Sequence, residues 1–342
     1  MEKHTGRRFG STVAFKFQLD TPPEDWSRTL LATIIGALLP IVVILLLGFF
    51  SGWHKDFNVD QATTLNRMVM LYALPLLLFG STITIPRSRL QADVPLFLAV
   101  AAGMIGSFFM ALLAARFVFR RDLGTSALQA LTIGGPAVPF VGVSVLGYVF
   151  GPANESIPVT SASLAMNLVQ VPVCLILLSA AAARNGKAKV RPSLLSHLIA
   201  TVREPIVWAP VLAIVLVLSG TKLPQVVSQS MLLLGQATGG VALFASGIML
   251  YSRRVSFNWI VALNAVARNV IVPAVFWGAL VALKLPSAEI REAVITLAIP
   301  TAAMAVILAV QFKTAEQEMA SSLLFSTVLS VPTMGAFMFL VR

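Results

Sequence analysis

The amino-acid sequence predicts an all-α polytopic membrane protein, with ten transmembrane helices arranged as two inverted five-helix repeats. Three observations predict it: the composition, the number of long apolar segments, and prolines that recur in the two halves of the chain. Of 342 residues, 57% are hydrophobic and 11% are charged, against about 45–50% and 25% in soluble domains. This composition excludes a cytosolic enzyme and a nucleic-acid binder. The formal charge of +11 lies mainly in short loops, where its expected partner is the lipid bilayer.

Ten segments approach the 20 or so residues needed to cross about 30 Å of hydrocarbon. A polar leader, 1–28, precedes them, and a polar loop, 184–204, separates a first repeat, 29–183, from a second, 205–342. The predicted spans are 29–53, 64–85, 95–118, 126–150, 159–182, 205–220, 226–251, 259–283, 292–311 and 319–341.

Prolines mark equivalent places in the two repeats. Pro40, Pro136 and Pro172 correspond in order to Pro210, Pro300 and Pro332, with offsets that drift only from 170 to 160 residues. Because each repeat has an odd number of spans, the second must enter the membrane from the opposite side. Inverted repeats of this kind are a recurrent plan of secondary transporters.

The distribution of Lys and Arg predicts the orientation in the cell membrane. Loops after odd-numbered spans carry thirteen of these residues near span ends, and the opposite side carries seven. The positive-inside rule then places the loop 184–204 in the cytoplasm and both termini outside. Four basic residues of the leader argue for the reverse.

Spans 4 and 9 contain the breaks that a transport site requires. Gly134, Gly135 and Pro136 interrupt span 4, and Pro300 with Thr301 interrupts span 9. Irregular backbone at membrane depth is tolerated where it lines a cavity, and the positive end of a downstream half-helix suits a carboxylate. We predict a substrate site there. The alternative is that these prolines only kink packed helices.

Span 8 carries a cation nine residues into the membrane, Arg268. A charge at that depth is costly and is a functional hypothesis by default. Arg268 is predicted to attract an anionic substrate, with Asn264 on the same helix face and Asn269 turned away by about 100°. The alternative is an arginine that binds carbonyl groups of a broken helix or extends to the interface.

Two neutral polar residues occupy equivalent places, each five residues before a proline: Asn167 in span 5 and Thr327 in span 10. Each is predicted to bind substrate or freed carbonyl groups, with interhelical packing as the alternative. No carboxylate lies mid-span, so a buried proton relay has no candidate. Na⁺ bound by backbone carbonyls, or H⁺, stays open as a coupling ion. We find no enzyme motif and expect neither a cofactor nor a metal site.

Several fragments, in this order, resemble the auxin efflux carrier family, especially its prokaryotic members described as malonate or malate permeases. They are LYALPLLLFGSTI, GGPAVPFVGVSVLGYVFG, VREPIVWAPVLA, VALFASGIML, ARNVIVPAVF and AIPTAAMAVILAVQF, and the likeness runs from about residue 30 to 341. The resemblance implies a scaffold of spans 1, 2, 6 and 7, a transport domain of spans 3–5 and 8–10 with elevator-type motion, and a homodimer.

The resemblance also implies that spans 4 and 9 cross at the substrate site. The crossover residues are then Gly134, Gly135 and Pro136 together with Ile299, Pro300 and Thr301. Plant members place asparagine beside the crossover proline, where this chain has Gly135 and Ile299. This departure favours a small anion over an indole.

The sequence therefore predicts a secondary transporter or facilitator of a small organic anion, a mono- or dicarboxylate. One alternative is a sodium-coupled transporter similar to the bile-acid symporters. Another is a membrane sensor that keeps the fold and moves nothing.

Overall fold

The structure is a computed structural model that describes residues 39–341, apart from 41, 152–153, 155, 185–204, 222 and 253–255. The predicted leader, 1–28, and nearly all of the loop 184–204 lie outside the described residues. Within them, the chain is helical except for short connections and one isolated β-bridge. The all-helical class is confirmed.

Each of the ten predicted apolar segments contains helix within the described residues. Six helices in the described part of the chain are long and apolar enough to cross a membrane. The ten-span inverted topology stays a prediction. In chain order the helices are α1 (Val42–Trp53), α2 (Val59–Ile83), α3 (Val94–Val118), α4a (Leu123–Gly134), α4b (Val143–Phe150), α5 (Ser156–Ala183), α6 (Pro205–Leu218), α7 (Gln225–Tyr251), α8 (Trp259–Ala282), α9a (Ser287–Ala298), α9b (Met304–Gln311) and α10 (Glu316–Leu340). A short helix, Arg87–Ala92, lies between α2 and α3.

Prolines shape the long helices through π-helical turns. The turns Val69–Ala73, Met166–Gln170 and Ala267–Ile271 each end two residues before a proline. A proline removes one helix hydrogen bond and its ring collides with the carbonyl four residues earlier. That carbonyl lies inside the π turn in all three helices, and the wider turn accommodates the ring. The bulges also rotate the side chains that follow.

Short polar residues begin several helices. Asn58 accepts a hydrogen bond from the amide of Gln61, whose side chain accepts one from the amide of Asn58, which completes a capping box at α2. Asp122 begins α4a by accepting from the amide of Thr125. Burial acts to raise the pKa of Asp122. Its hydrogen bonds with Thr125 and the charge of Arg121 outweigh burial and hold the pKa below the usual 3.8.

Glycines allow the closest helix contacts. A Cβ atom on Gly48 of α1 would lie 2.0 Å from the carbonyl oxygen of Phe244 in α7, and one on Gly235 would lie 2.8 Å from the Cα of Leu77 in α2. Small residues therefore pack helices within this chain. One set of contacts joins α1, α2, α6 and α7, and another joins α3, α4a, α5, α8, α9a and α10. The homodimer stays a prediction.

Candidate substrate site

Two broken helices meet at the centre of the candidate site. α4a ends at Gly134 and α9a ends at Ala298, and the residues that follow each have non-helical backbone angles. The two breaks pair as an antiparallel bridge between Pro136 and Thr301. The amide of Ala137 donates to the carbonyl of Pro300 at 2.8 Å, and the amide of Ala302 donates to the carbonyl of Gly135 at 2.9 Å. These bonds satisfy backbone groups that the breaks release.

The glycines of the first break are required by close contacts. A Cβ atom on Gly134 would lie 2.6 Å from the Cα of Phe108 in α3, and one on Gly135 would lie 2.7 Å from the carbonyl oxygen of Leu131. Both distances are far below van der Waals contact. The absence of a side chain therefore lets Gly134 pack against α3 and lets Gly135 pack against the last turn of α4a.

Arg268 lies behind the crossing and is fully buried. Its Nη1 donates to the carbonyl of Ile133 at 2.8 Å, and its Nε and Nη2 donate to the carbonyl of Ile299 at 3.1 and 3.0 Å. Nη2 also donates to the carbonyl of Leu297. Arg268 thus binds the carboxyl ends of α4a and α9a. This geometry corresponds to the second of the two interpretations of this arginine.

The charges at these helix ends balance. Each helix carboxyl end carries about half a negative charge from the aligned peptide dipoles. The guanidinium of Arg268 carries one positive charge and hydrogen-bonds both carboxyl ends, so it offsets the negative partial charge of each. Two helix amino ends also meet at the crossing: that of the π turn Val138–Gly142 and that of α9b. Each carries a partial positive charge that Arg268 does not offset.

A polar chain from α8 to α10 fixes the second break. The amide of Thr301 donates to the Oγ of Ser326 at 3.1 Å, and this hydroxyl donates to the Oδ1 of Asn269 at 2.6 Å. The hydroxyl of Thr301 donates to the carbonyl of Thr132 at 2.7 Å. Asn269 is fully buried beside Arg268. Its side-chain amide donates to the carbonyl of Ser326 at 2.6 Å, so the two neighbours in the π turn Ala267–Ile271 bind different helices.

A narrow cavity of about 50 Å³ opens at the crossing. Ala137 is the N-cap residue of the π turn Val138–Gly142, and Ala303 is the N-cap residue of α9b; neither alanine supplies a side-chain cap. Both alanines line the cavity. The described residues that line it carry no charged side chain: Leu45, Asn66, Met70, Ala137, Val141, Ala242, Leu243, Ser246, Leu250, Pro300, Thr301, Ala303, Met304, Ile307, Leu323, Leu324 and Thr327.

Three other predicted site residues have different surroundings. Asn264 is buried between α4a and α10, where it accepts from Gln129 at 2.7 Å and donates to Ser322 at 3.0 Å. Asn167 donates to the carbonyl of Ser163 within its own helix. Neither lines the cavity. Thr327 does line it, with its hydroxyl bound to a carbonyl of α10.

The sequence missed the cavity wall formed by α2 and α7. Asn66, Met70 and Ser246 line this wall, and no proline, charge or repeat position marks them in the sequence. Asn66 could have been noticed as an amide near the polar start of span 2. Its side-chain amide donates to the sulfur of Met249 at 3.8 Å.

The chain is similar in sequence to known membrane transport proteins. A family model described as membrane transport protein matches residues 33–338. The chain is 34% identical over 314 residues to a protein of Escherichia coli K12 named uncharacterized transporter YfdV, covering 92% of this chain and 99% of that protein. Proteins of the same name from Escherichia coli O157:H7 and Shigella flexneri match equally well.

Proposed function

Because this chain belongs to the auxin efflux carrier family of membrane transport proteins, we propose that it carries a small organic anion, a mono- or dicarboxylate, across the cell membrane by alternating access. One observation carries the proposal. Two uncapped half-helix amino ends converge on one cavity, while the opposite, negative ends are bound by Arg268.

The electrostatics of the cavity favour an anion. Two helix amino ends contribute together about one positive charge, and their free amide groups can donate to carboxylate oxygens. The described lining residues include no carboxylate that would bind a cation or repel the cargo. Ala303 and Met304 at the start of α9b would supply amides from one side, and Ala137 marks the facing amino end.

The size of the cavity favours a short acid. A cavity needs about 10–15 Å³ to hold one water molecule, so about 50 Å³ holds about four waters or a carboxylate with a short carbon chain. Apolar residues such as Met70, Val141 and Ile307 form most of the wall. Such a wall accommodates methylene groups and leaves recognition of the charge to the helix ends.

The same proposal includes the wider architecture. The ten helical elements would be ten spans in two inverted repeats, with both termini outside and the central loop in the cytoplasm. The set α1, α2, α6 and α7 would form the scaffold of a homodimer, and the set α3–α5 and α8–α10 would move as the transport domain. Two observations support this division: the glycine contacts within the first set, and the paired breaks within the second.

Sodium coupling at the crossing is not expected. In transporters with broken helices, carbonyls at half-helix carboxyl ends coordinate Na⁺. Here the carbonyls of Ile133, Leu297 and Ile299 accept from Arg268. A tethered cation therefore occupies the position that a coupling ion would need, and we expect flux without a sodium gradient.

Uptake by proteoliposomes tests the proposal. The panel is radiolabelled malonate, malate, succinate, lactate and indole-acetate, each with an imposed sodium, proton or voltage gradient. We expect saturable uptake of at least one short carboxylate, faster than indole-acetate and unchanged when K⁺ replaces Na⁺. Absence of flux for every acid, with the protein shown to be folded, would contradict the proposal and favour the sensor alternative.

A further inference from the structure

A second, larger cavity adjoins the crossing. It has a volume of about 420 Å³, within the range of small-molecule sites. It shares Asn66, Met70, Met304 and Ile307 with the cavity at the crossing. We call it the vestibule. Its described lining residues are Val59, Thr63, Asn66, Arg67, Met70, Met249, Met304, Val306, Ile307, Val310 and Gln311.

Two helices set the direction of the vestibule. The face of α2 that lines it begins at Val59, the first residue of the helix, and continues to Met70. α9b lines it from Met304 at the crossing to Gln311 at its other end, which is about 12 Å at 1.5 Å per residue. The vestibule is therefore a path from the crossing to the end of the molecule where α2 begins.

Arg67 is the one charged side chain among the described residues that line this path. It is exposed, and no described residue forms an ion pair with it. The nearest acidic residue on its helix face, Asp60, lies two turns earlier, about 10 Å along the axis. Lys313, just beyond α9b, adds a second exposed cation near the same end. A cleft with one sign of charge and apolar walls concentrates ions of the opposite sign.

We infer that Arg67 is an entry subsite for the transported anion, which it receives in the vestibule before the anion reaches the crossing. Its guanidinium can bind a carboxylate with two hydrogen bonds. Asn66, which precedes Arg67 in α2, lines both cavities, and its amide can bind the anion between Arg67 and the crossing. Met70 and Met304 lie where the two cavities join, and their flexible side chains allow passage. The inference rests on the proposed function for the charge of the cargo.

The test uses charged thiol reagents and so needs no known substrate. The reporter is Met304→Cys in a Cys174→Ala background, in lipid nanodiscs, because the native cysteine is fully buried in an apolar cluster. Reaction rates are measured with anionic sulfonatoethyl and cationic trimethylammonioethyl methanethiosulfonate. Ile307→Cys serves as a second reporter in both cavities.

Arg67→Gln should lower the ratio of anionic to cationic rates at the Met304→Cys reporter by about fivefold to tenfold, because removing one nearby positive charge slows the anionic reagent and speeds the cationic one. Arg87→Gln is the matched control, because this exposed arginine lies beyond the other end of α2, and it should leave the ratio unchanged. An unreactive reporter at both positions, or a ratio that does not respond to Arg67→Gln, would overturn the inference.

Transport kinetics separate this inference from the proposed function. With the carboxylate that the liposomes accumulate best, Arg67→Gln should raise KM about tenfold with kcat kept, and Arg67→Lys should restore most of the affinity. An unchanged KM in Arg67→Gln would overturn the entry subsite but would not affect the proposed substrate site at the crossing. Failure of every carboxylate, with the reagent ratio still dependent on Arg67, would contradict the proposed cargo and retain the anion-selective path.

Discussion

Arg268→Ala is the perturbation for which the structure gives the clearest magnitude. The fully buried guanidinium donates to three backbone carbonyls, those of Ile133, Leu297 and Ile299. A buried acceptor that loses its partner costs about 1–3 kcal/mol, so three such acceptors lower the free energy of unfolding by about 3–9 kcal/mol. That is a large part of the 5–15 kcal/mol typical of a folded domain. The two negative helix ends would also lose their counter-charge.

We expect Arg268→Ala to lower the midpoint of thermal unfolding in detergent by many degrees and to abolish anion uptake. Arg268→Lys keeps the charge but not the planar set of donors, and should retain part of both. Arg87→Ala, which removes an exposed arginine, is the control and should change neither. Wild-type unfolding and uptake in Arg268→Ala would refute the reasoning.

Three further predictions concern the crossing, the helix contacts and the first half-helix. Ser326→Ala removes the acceptor of the Thr301 amide; it should reduce uptake and destabilise the fold by about 1–3 kcal/mol, and unchanged initial rates would contradict this. Gly48→Ala places a Cβ atom 2.0 Å from a carbonyl oxygen of α7 and should lower the unfolding midpoint, whereas Gly106→Ala, with open space around it, should not. Asp122→Ala removes a helix cap and should cost about 1 kcal/mol at neutral pH. Because the pKa of Asp122 is lowered in the fold, its contribution is present above the usual 3.8 and is lost as the pH falls through the lowered value; a difference between Asp122→Ala and wild type that does not shrink as the pH falls below 3.8 would contradict this assignment.

The sequence was sufficient to predict features with strong local causes. Helix positions follow from hydropathy, and the breaks follow from Pro136 and Pro300, since a proline removes a helix hydrogen bond wherever it lies. The sequence also singled out Arg268 as a cation within an apolar helix, and its side chain is fully buried.

The sequence was not sufficient where a side chain's direction depends on tertiary geometry. Asn269 is fully buried and donates to the carbonyl of Ser326 in α10, and periodicity along α8 cannot show which neighbouring helix a buried amide binds. Asn264 shares the expected face with Arg268, yet its partners are Gln129 and Ser322. The vestibule side chain Arg67 looked like an ordinary loop-end cation. Arg67 lines the vestibule only because α9b packs beside α2, which the sequence does not show.

An experimental structure of the protein with the carboxylate that proteoliposomes accumulate would test the central claim most directly. The account predicts the carboxylate within hydrogen-bond distance of the amides that begin α9b, at Ala303 and Met304, with Arg268 still bound to the carbonyls behind the crossing. A carboxylate bound directly by Arg268, with those carbonyls released, would contradict it, as would a carboxylate bound away from the crossing of α4 and α9.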